Sequence, residues 1–433
     1  MPKDNRLYIW ASDTARNSNA CSYYRITAPF EAMENLGLCH RYIDTGERSR
    51  YDLRSMIQAD VCQFYSLGGE YTLHQIESLK AINPAVRPQG DPTFPPVCVY
   101  DLDDNTDFVH PMNHTFVSLG VRTYPDARLL RPGEQLEVEW PDGTRETMWE
   151  DQFSENDGAV FDIERNLHQM KTRHQIIRAC HGMTVSTPDL ASYIKEVVGQ
   201  PSVYVFPNSI NMKDYESFNV VRDDPDEIRI FWQGSMSHWV DWYPLRDAIK
   251  TVAQKYPKVK WVMWGSWFGW VHEVIPDDRV EHYGWTEYAA YKLRRGLMNI
   301  DINLCPLAKN SFNRCKSAIK WYEASIWKNP EATLASNVHP YNLEMVDGVN
   351  GMLYSTPEEF VQKLSALIEN AELRKKLGEN ARKWVLENRT VEKTVPGLHE
   401  YFQELKLEQR AKLKPKVVVS TTADLKKLLS APR

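Results

Sequence analysis

The chain has 433 residues, 42% of them hydrophobic and 25% charged, with a net charge of −6. That length predicts two or three domains, and the composition excludes wholesale disorder. The acidic balance argues against a broad nucleic-acid surface, although a local basic groove stays open. The seven cysteines lie scattered with no CxxC pair, so neither a disulfide framework nor a zinc knuckle is indicated, and a reduced, cytoplasmic setting fits. No run of about 18 apolar residues occurs, so no transmembrane segment is expected. Lys3, Asp4 and Arg6 open the chain in a way unlike a signal peptide.

In chain order, Arg6–Ala11 reads as a buried strand, followed by a polar loop and a helix from about Ser22 to Leu36 closed by Gly37. Short apolar runs at Ala59–Tyr65, Val97–Leu102, Met183–Ser186 and Val203–Phe206 predict further strands. Helical patterns at Tyr71–Ala81 and Arg165–Ala179 lie between them. This alternation predicts a parallel sheet covered on both faces. Leu136–Trp149 breaks the pattern: apolar and polar residues alternate around Asp142-Gly143, the signature of a hairpin. Residues about 118–160 are therefore read as an insertion, either a solvated loop or part of an acceptor site or subunit contact.

Polar, acidic residues 209–226 read as a linker. A second α/β series follows, with strands at Ile228–Gln233, Val259–Trp264, Ile300–Cys305 and Ala332–Ala335. Its helices are expected at Tyr243–Tyr256, Glu287–Arg295, Lys316–Trp327 and Pro357–Asn370. The segment 371–407 is strongly helical, and 412–433 is a basic tail. Two such domains leave a cleft between the C-terminal ends of their strands, where open α/β sheets bind ligands.

The block Asn313–Glu323 (NRCKSAIKWYE) places a polar loop and a helix start after the strand ending at Cys305. A helix start offers free N–H groups and a positive dipole; Lys316 adds a cation and Ser317 a hydroxyl, a set suited to a diphosphate. Glu323, two turns on, can accept both hydroxyls of a ribose diol. The same residues also fit an ordinary surface helix. Gly234–Asp241 (GSMSHWVD) follows the first strand of the second series, where a Gly-Ser turn brings N–H groups near phosphate; His238 is a site residue or a structural histidine. Tyr100–Asn105 (YDLDDN) puts three acids at a strand end. Asp103 or Asp104 is then a cleft carboxylate that positions or deprotonates an acceptor, a metal ligand, or a turn cap.

These motifs together resemble the GT-B glycosyltransferases, particularly the family-4-like group, whose donor site carries an E-x7-E motif. Glu323-Ala324 matches the second Glu, Pro330 the turn after it, Ser336 a strand end, and Gly348–Gly351 (GVNG) the final turn. Thr184–Leu190 and the Pro207-Asn208 hinge match features late in the family's first domain. The resemblance implies two Rossmann-like domains: an N-terminal acceptor domain (1–208) and a C-terminal sugar-nucleotide domain (209–390). A C-terminal helix (391–411) would be placed to pack back on the first. Donor binding falls to Gly234, Ser235, Lys316, Ser317, Glu323 and Arg25, and catalysis to Asp103, Asp104 and His238. Cys315 stands where the family has its first Glu, which contacts the donor sugar; Asn313 or Asn310 is the expected substitute.

The function implied is transfer of a sugar from a sugar nucleotide to an acceptor hydroxyl, with retention of configuration. The sugar nucleotide serves as co-substrate, and no cofactor or metal is expected. The missing Glu also motivates a catalytically degenerate sugar-nucleotide- or carbohydrate-binding protein. The acceptor stays open among glycan, protein, small molecule and modified nucleobase, as does the oligomeric state.

Overall fold

The computed structural model describes residues 6–13, 20–46, 51, 53–82, 95–110, 113, 115–121, 135–139, 145–149, 162–215, 226–327 and 329–412. The basic tail from 413, the acidic flanks of the insertion and the Asp142-Gly143 turn lie outside these residues.

The first lobe is built on β1 (Leu7–Ser12), β2 (Cys39–Asp44), β3 (Val61–Tyr65) and β4 (Val97–Leu102). A separate antiparallel hairpin, β5 (Gln135–Glu139) with β6 (Arg145–Trp149), interrupts it, and β7 (Gly182–Val185) and β8 (Val203–Val205) complete it. The six strands other than the hairpin form one parallel sheet in the order β2-β1-β3-β4-β7-β8. In the second lobe, β9 (Ile228–Gly234), β10 (Val259–Gly265), β11 (Val280–Tyr283), β12 (Ile302–Cys305), β13 (Ala332–Ser336) and β14 (Met352–Tyr354) form a second parallel sheet. Its order is β11-β10-β9-β12-β13-β14. Central strands are largely buried, as a sheet covered on both faces demands; every residue of β3 and β4 is buried.

Three strands were not foreseen. β2 carries four half-buried residues and one exposed one, β11 is half-buried at best, and β14 has three residues, so none presents a long apolar run.

Trp10, Trp232, Trp242, Trp261 and Trp321 are fully buried, each removing a large apolar surface from water worth on the order of 2–3 kcal/mol. These five are therefore packing residues.

Among the described residues, two stretches of chain that pass between the lobes run side by side. Ile210 donates its N–H to the Arg389 carbonyl at 2.7 Å and accepts from Val391 N–H at 2.9 Å. Helix Val391–Lys412 then lies on the first lobe against helix Ala28–Asn35. The Tyr401 hydroxyl is 3.1 Å from Met183 N, and its ring stacks on Tyr204 at 5.1 Å. Gly182 makes this docking possible, because a Cβ there would sit 2.2 Å from that hydroxyl.

Candidate active site

The β9/β12 boundary is where strand order reverses in the second sheet, and the loops leaving β9 and β12 diverge there. Ligands of open α/β sheets bind at such a point. A cavity of about 240 Å³ opens at this position. The second lobe lines it with Gln233, Gly234 and Ser235 at the end of β9, Trp264 and Gly265 at the end of β10, and Ile319, Lys320 and Glu323. Trp285, Thr286, Tyr288 and Tyr291 make an aromatic-rich wall, and the first lobe contributes Ala20, Cys21, Tyr24 and Asn208.

Two glycines let the strand ends come this close. Gly265 has φ +100, and a Cβ on it would lie 2.2 Å from the Gly234 carbonyl oxygen. At Gly234 a Cβ would lie 2.7 Å from the Trp232 ring and 2.9 Å from His238. Only glycine fits such positions.

Glu323 is 5% exposed on helix Ile319–Ile326. The Tyr24 hydroxyl donates to its Oε1 at 2.5 Å, the Tyr215 hydroxyl lies 3.4 Å from the same oxygen, and Gln233 Nε2 donates to Oε2. Burial raises its carboxyl above the usual range, and the hydrogen bonds from Tyr24 and Gln233 oppose this. Tyr24 owes its place to Pro29. A proline in mid-helix has no N–H to donate and crowds the preceding turn. The helix accommodates it by widening to a π-helical turn over Tyr23–Thr27, with Ala28 N–H bonded to the Tyr23 carbonyl.

The helix expected to open at Lys316 opens at Ile319 instead. Ser311–Arg314 forms a separate turn, and residues 315–318 are not helical. Lys316 and Ser317 consequently stand outside the cavity lining. Lys316 Nζ is 3.7 Å from Asp104 Oδ2 across the lobes, and Ser317 Oγ accepts from Asn208 Nδ2 at 3.0 Å. The first-turn cation that does line the cavity is Lys320, which sequence reasoning missed by starting the helix a turn early.

Arg25 does not reach the cleft. It is fully buried, its Nε and Nη2 donating to the two Asp101 oxygens at 2.9 and 2.6 Å and its Nη1 to the Phe206 carbonyl and Asn208. Asn313 is likewise held away: its amide donates to Asp241 Oδ1 at 2.7 Å and the Ala308 carbonyl at 3.0 Å. The Nδ2 of Asn310 is buried without a hydrogen-bond partner among the described residues. Cys315, in place of the family's Glu, is 5% exposed and packs with the core of the first lobe. Its carbonyl accepts from Thr187 at 2.9 Å, and burial pushes its thiol up to about 12.

His238 does not line the cavity; its Nδ1 lies 2.6 Å from Asp241 Oδ2 and its Nε2 3.0 Å from Lys320 Nζ. Burial, then the Lys320 charge, pulls its pKa down to about 4. On the opposite rim, Asp103 and Asp104 follow β4. Burial and the neighbouring Asp104 push the Asp103 carboxyl up to about 6, and the Tyr65 hydroxyl donates to it at 3.3 Å. Among the described residues no group of three His, Cys, Asp or Glu side chains is arranged to hold a metal ion. No described helix is long and apolar enough to cross a membrane.

Two Rossmann-like lobes facing a cleft, with a pocket at the switch point of the second, define the GT-B architecture. No protein-family model and no curated protein matches the sequence. Solved structures do match in fold. Sucrose-phosphate synthase from Thermosynechococcus elongatus aligns with a TM-score of 0.55 at 11% identity, over 93% of this chain and 100% of that one. A glycosyltransferase from Rickettsia africae aligns at 0.54 and 10% identity, over 93% and 99%. HepE of Anabaena, solved with UDP and glucose, aligns at 0.52 and 13% identity, over 92% and 100%. The likeness extends over both lobes, and the chain has the GT-B fold.

Proposed function

We propose that this protein transfers a sugar from a nucleoside diphosphate sugar to an acceptor hydroxyl, with retention of configuration and without a metal ion. The observation that carries the reading is Glu323: a buried carboxylate in the switch-point cavity, held among the described residues by neutral hydroxyl and amide donors. A ribose diol offers the same kind of donor and can replace Tyr24 and Gln233 on the two oxygens. The wall formed by Trp264, Trp285, Tyr288 and Tyr291 suits a nucleobase, since Trp285 is 69% exposed and presents a free face. The diphosphate then points toward the Gly234-Ser235 turn and the start of helix Ile319–Ile326, whose amides and dipole favour anions.

Asp103 and Asp104, on the rim across the cleft, position the acceptor. For configuration to be retained, the acceptor oxygen bonds to the anomeric carbon on the face that the diphosphate leaves. The bond to the diphosphate breaks with its electron pair, and the departing phosphate oxygen takes the acceptor proton while Asp103 orients the acceptor hydroxyl. Asn310, with its unpartnered Nδ2, takes the sugar contact left open by Cys315. UDP in the HepE structure favours a uridine nucleotide. Retention is what the family-4 resemblance implies.

The test is incubation with UDP-, GDP- and ADP-sugars, with and without glycan, protein and small-molecule acceptors, following release of nucleoside diphosphate. Release that depends on acceptor and disappears in Glu323→Ala supports the reading. The burial of Cys315 favours a second reading, a binding protein on the same frame; tight binding with no turnover of any donor would establish it.

A further inference from the structure

Lys320 and Glu323 are three residues apart on one helix, so they share a face, and both line the cavity. The Lys320 ammonium is 3.0 Å from His238 Nε2, and His238 Nδ1 is 2.6 Å from Asp241 Oδ2. A carboxylate only accepts, so Nδ1 carries the proton and Nε2 turns its lone pair to the ammonium. Asp241 Oδ1 is fixed in turn by the Ala308 N–H and the Asn313 amide, each at 2.7 Å. The Lys320 ammonium hydrogen-bonds His238 alone among the described residues, which leaves two of its N–H groups and a positive charge without an anion in contact.

We infer that Lys320 is the cation that receives the diphosphate in this cavity, and that His238, Asp241 and Asn313 are positioning residues that hold it there. The inference rests on the donor-site reading above. It replaces His238 as a catalytic group with a structural partner of the anion-binding lysine, and it gives the buried Asn313 a purpose.

The charged and titratable groups facing Lys320 are Cys305, Lys316, Asp241, Glu323 and His238. Burial pulls Lys320 down to about 8, the same effect pushes Cys305 up to about 11, and His238 titrates near 4. Lys320 therefore changes charge between pH 7 and 9, while the Cys305 thiol and the His238 ring do not. Loss of its proton removes the attraction for a diphosphate but leaves a neutral nucleoside unaffected.

Calorimetric titration with UDP, GDP and ADP, and with the matching nucleosides, at pH 7, 8 and 9 tests this. The diphosphate that binds should lose affinity about tenfold from pH 7 to 9 as Lys320 discharges. Lys320→Met should weaken it by roughly 10–100-fold at pH 7 and abolish the pH dependence, with nucleoside affinity unchanged. Lys320→Arg should keep the affinity and lose the pH dependence, and it carries the test if the Met variant fails to fold. His238→Leu should cost roughly 3–10-fold for the diphosphate and nothing for the nucleoside. If Lys320→Met, or failing that Lys320→Arg, keeps the wild-type affinity and pH slope, the inference is overturned while the donor-site reading stands. Wild-type protein that binds no nucleoside diphosphate would overturn both.

Discussion

The two sides of the cleft arrange their charges differently. Inside the first lobe, behind the rim carboxylates, two groups of charged side chains close on one another. Arg25 grips Asp101 at zero exposure, and Asp107 receives Arg173, His174 at 2.6 Å and Tyr193 at 2.8 Å. On the second lobe, Lys320 and Glu323 face an open cavity and are held by neutral groups: an imidazole, hydroxyls and an amide. A buried ion pair is satisfied within the protein and has little left to offer a ligand. A charge held by neutral partners still lacks its counter-charge, and a ligand can supply it. Burial of a charged side chain is thus a poor sign of a binding role; the nature of its partners separates Arg25 from Lys320.

The sharpest way to break this contrast is at Arg25. Arg25→Met leaves Asp101 buried and unpaired and should destabilise the first lobe by about 3–5 kcal/mol, read from urea unfolding. The folded protein at low urea should still bind nucleotide, because no Arg25 atom faces the cavity. Glu323→Ala should show the reverse: roughly 30–100-fold weaker nucleotide binding by calorimetry, about 2–3 kcal/mol, with a smaller change in stability.

Asp103 tests the rim. Its carboxyl sits near 6 in the fold against about 4 in an unfolded chain, so the folded state holds its proton more tightly. Stability should therefore fall as pH rises from about 4 to 6, by on the order of 1–2 kcal/mol after allowance for partial exposure. Asp103→Asn should remove that fall in denaturation curves recorded between pH 4 and 7. The smallest effect is expected at Trp285. Trp285→Ala should weaken nucleoside and nucleotide equally, by about 1 kcal/mol or fivefold, since a stacked base is lost and no charge is touched.

The sequence made some of this legible. Strands with apolar stretches, β4, β9, β10 and β12, announced themselves, and with them the positions of the Gly234 turn at the end of β9 and of Glu323 on a helix after β12, both of which line the cavity. The hairpin Gln135–Glu139 with Arg145–Trp149 was visible because strict alternation has no helical rival. β2, β11 and β14 were hidden by polar or very short sequences that strand pairing stabilises from outside. Lys320 was obscured by a local error: a Lys-Ser pair reads as a helix start, yet residues 315–318 turn toward the first lobe through Thr187, Asp104 and Asn208. Arg25 and Asn313 were misread because a sequence shows a polar side chain but not the partner that occupies it, and Asp101 lies 76 residues from Arg25.

The most direct test is a crystal structure grown with whichever of UDP, GDP or ADP most raises the melting temperature. The account predicts a ribose with both hydroxyls on Glu323, the Tyr24 bond displaced, and phosphate oxygens within hydrogen-bond distance of Lys320. A nucleotide bound elsewhere, with the Tyr24–Glu323 bond intact, would contradict it.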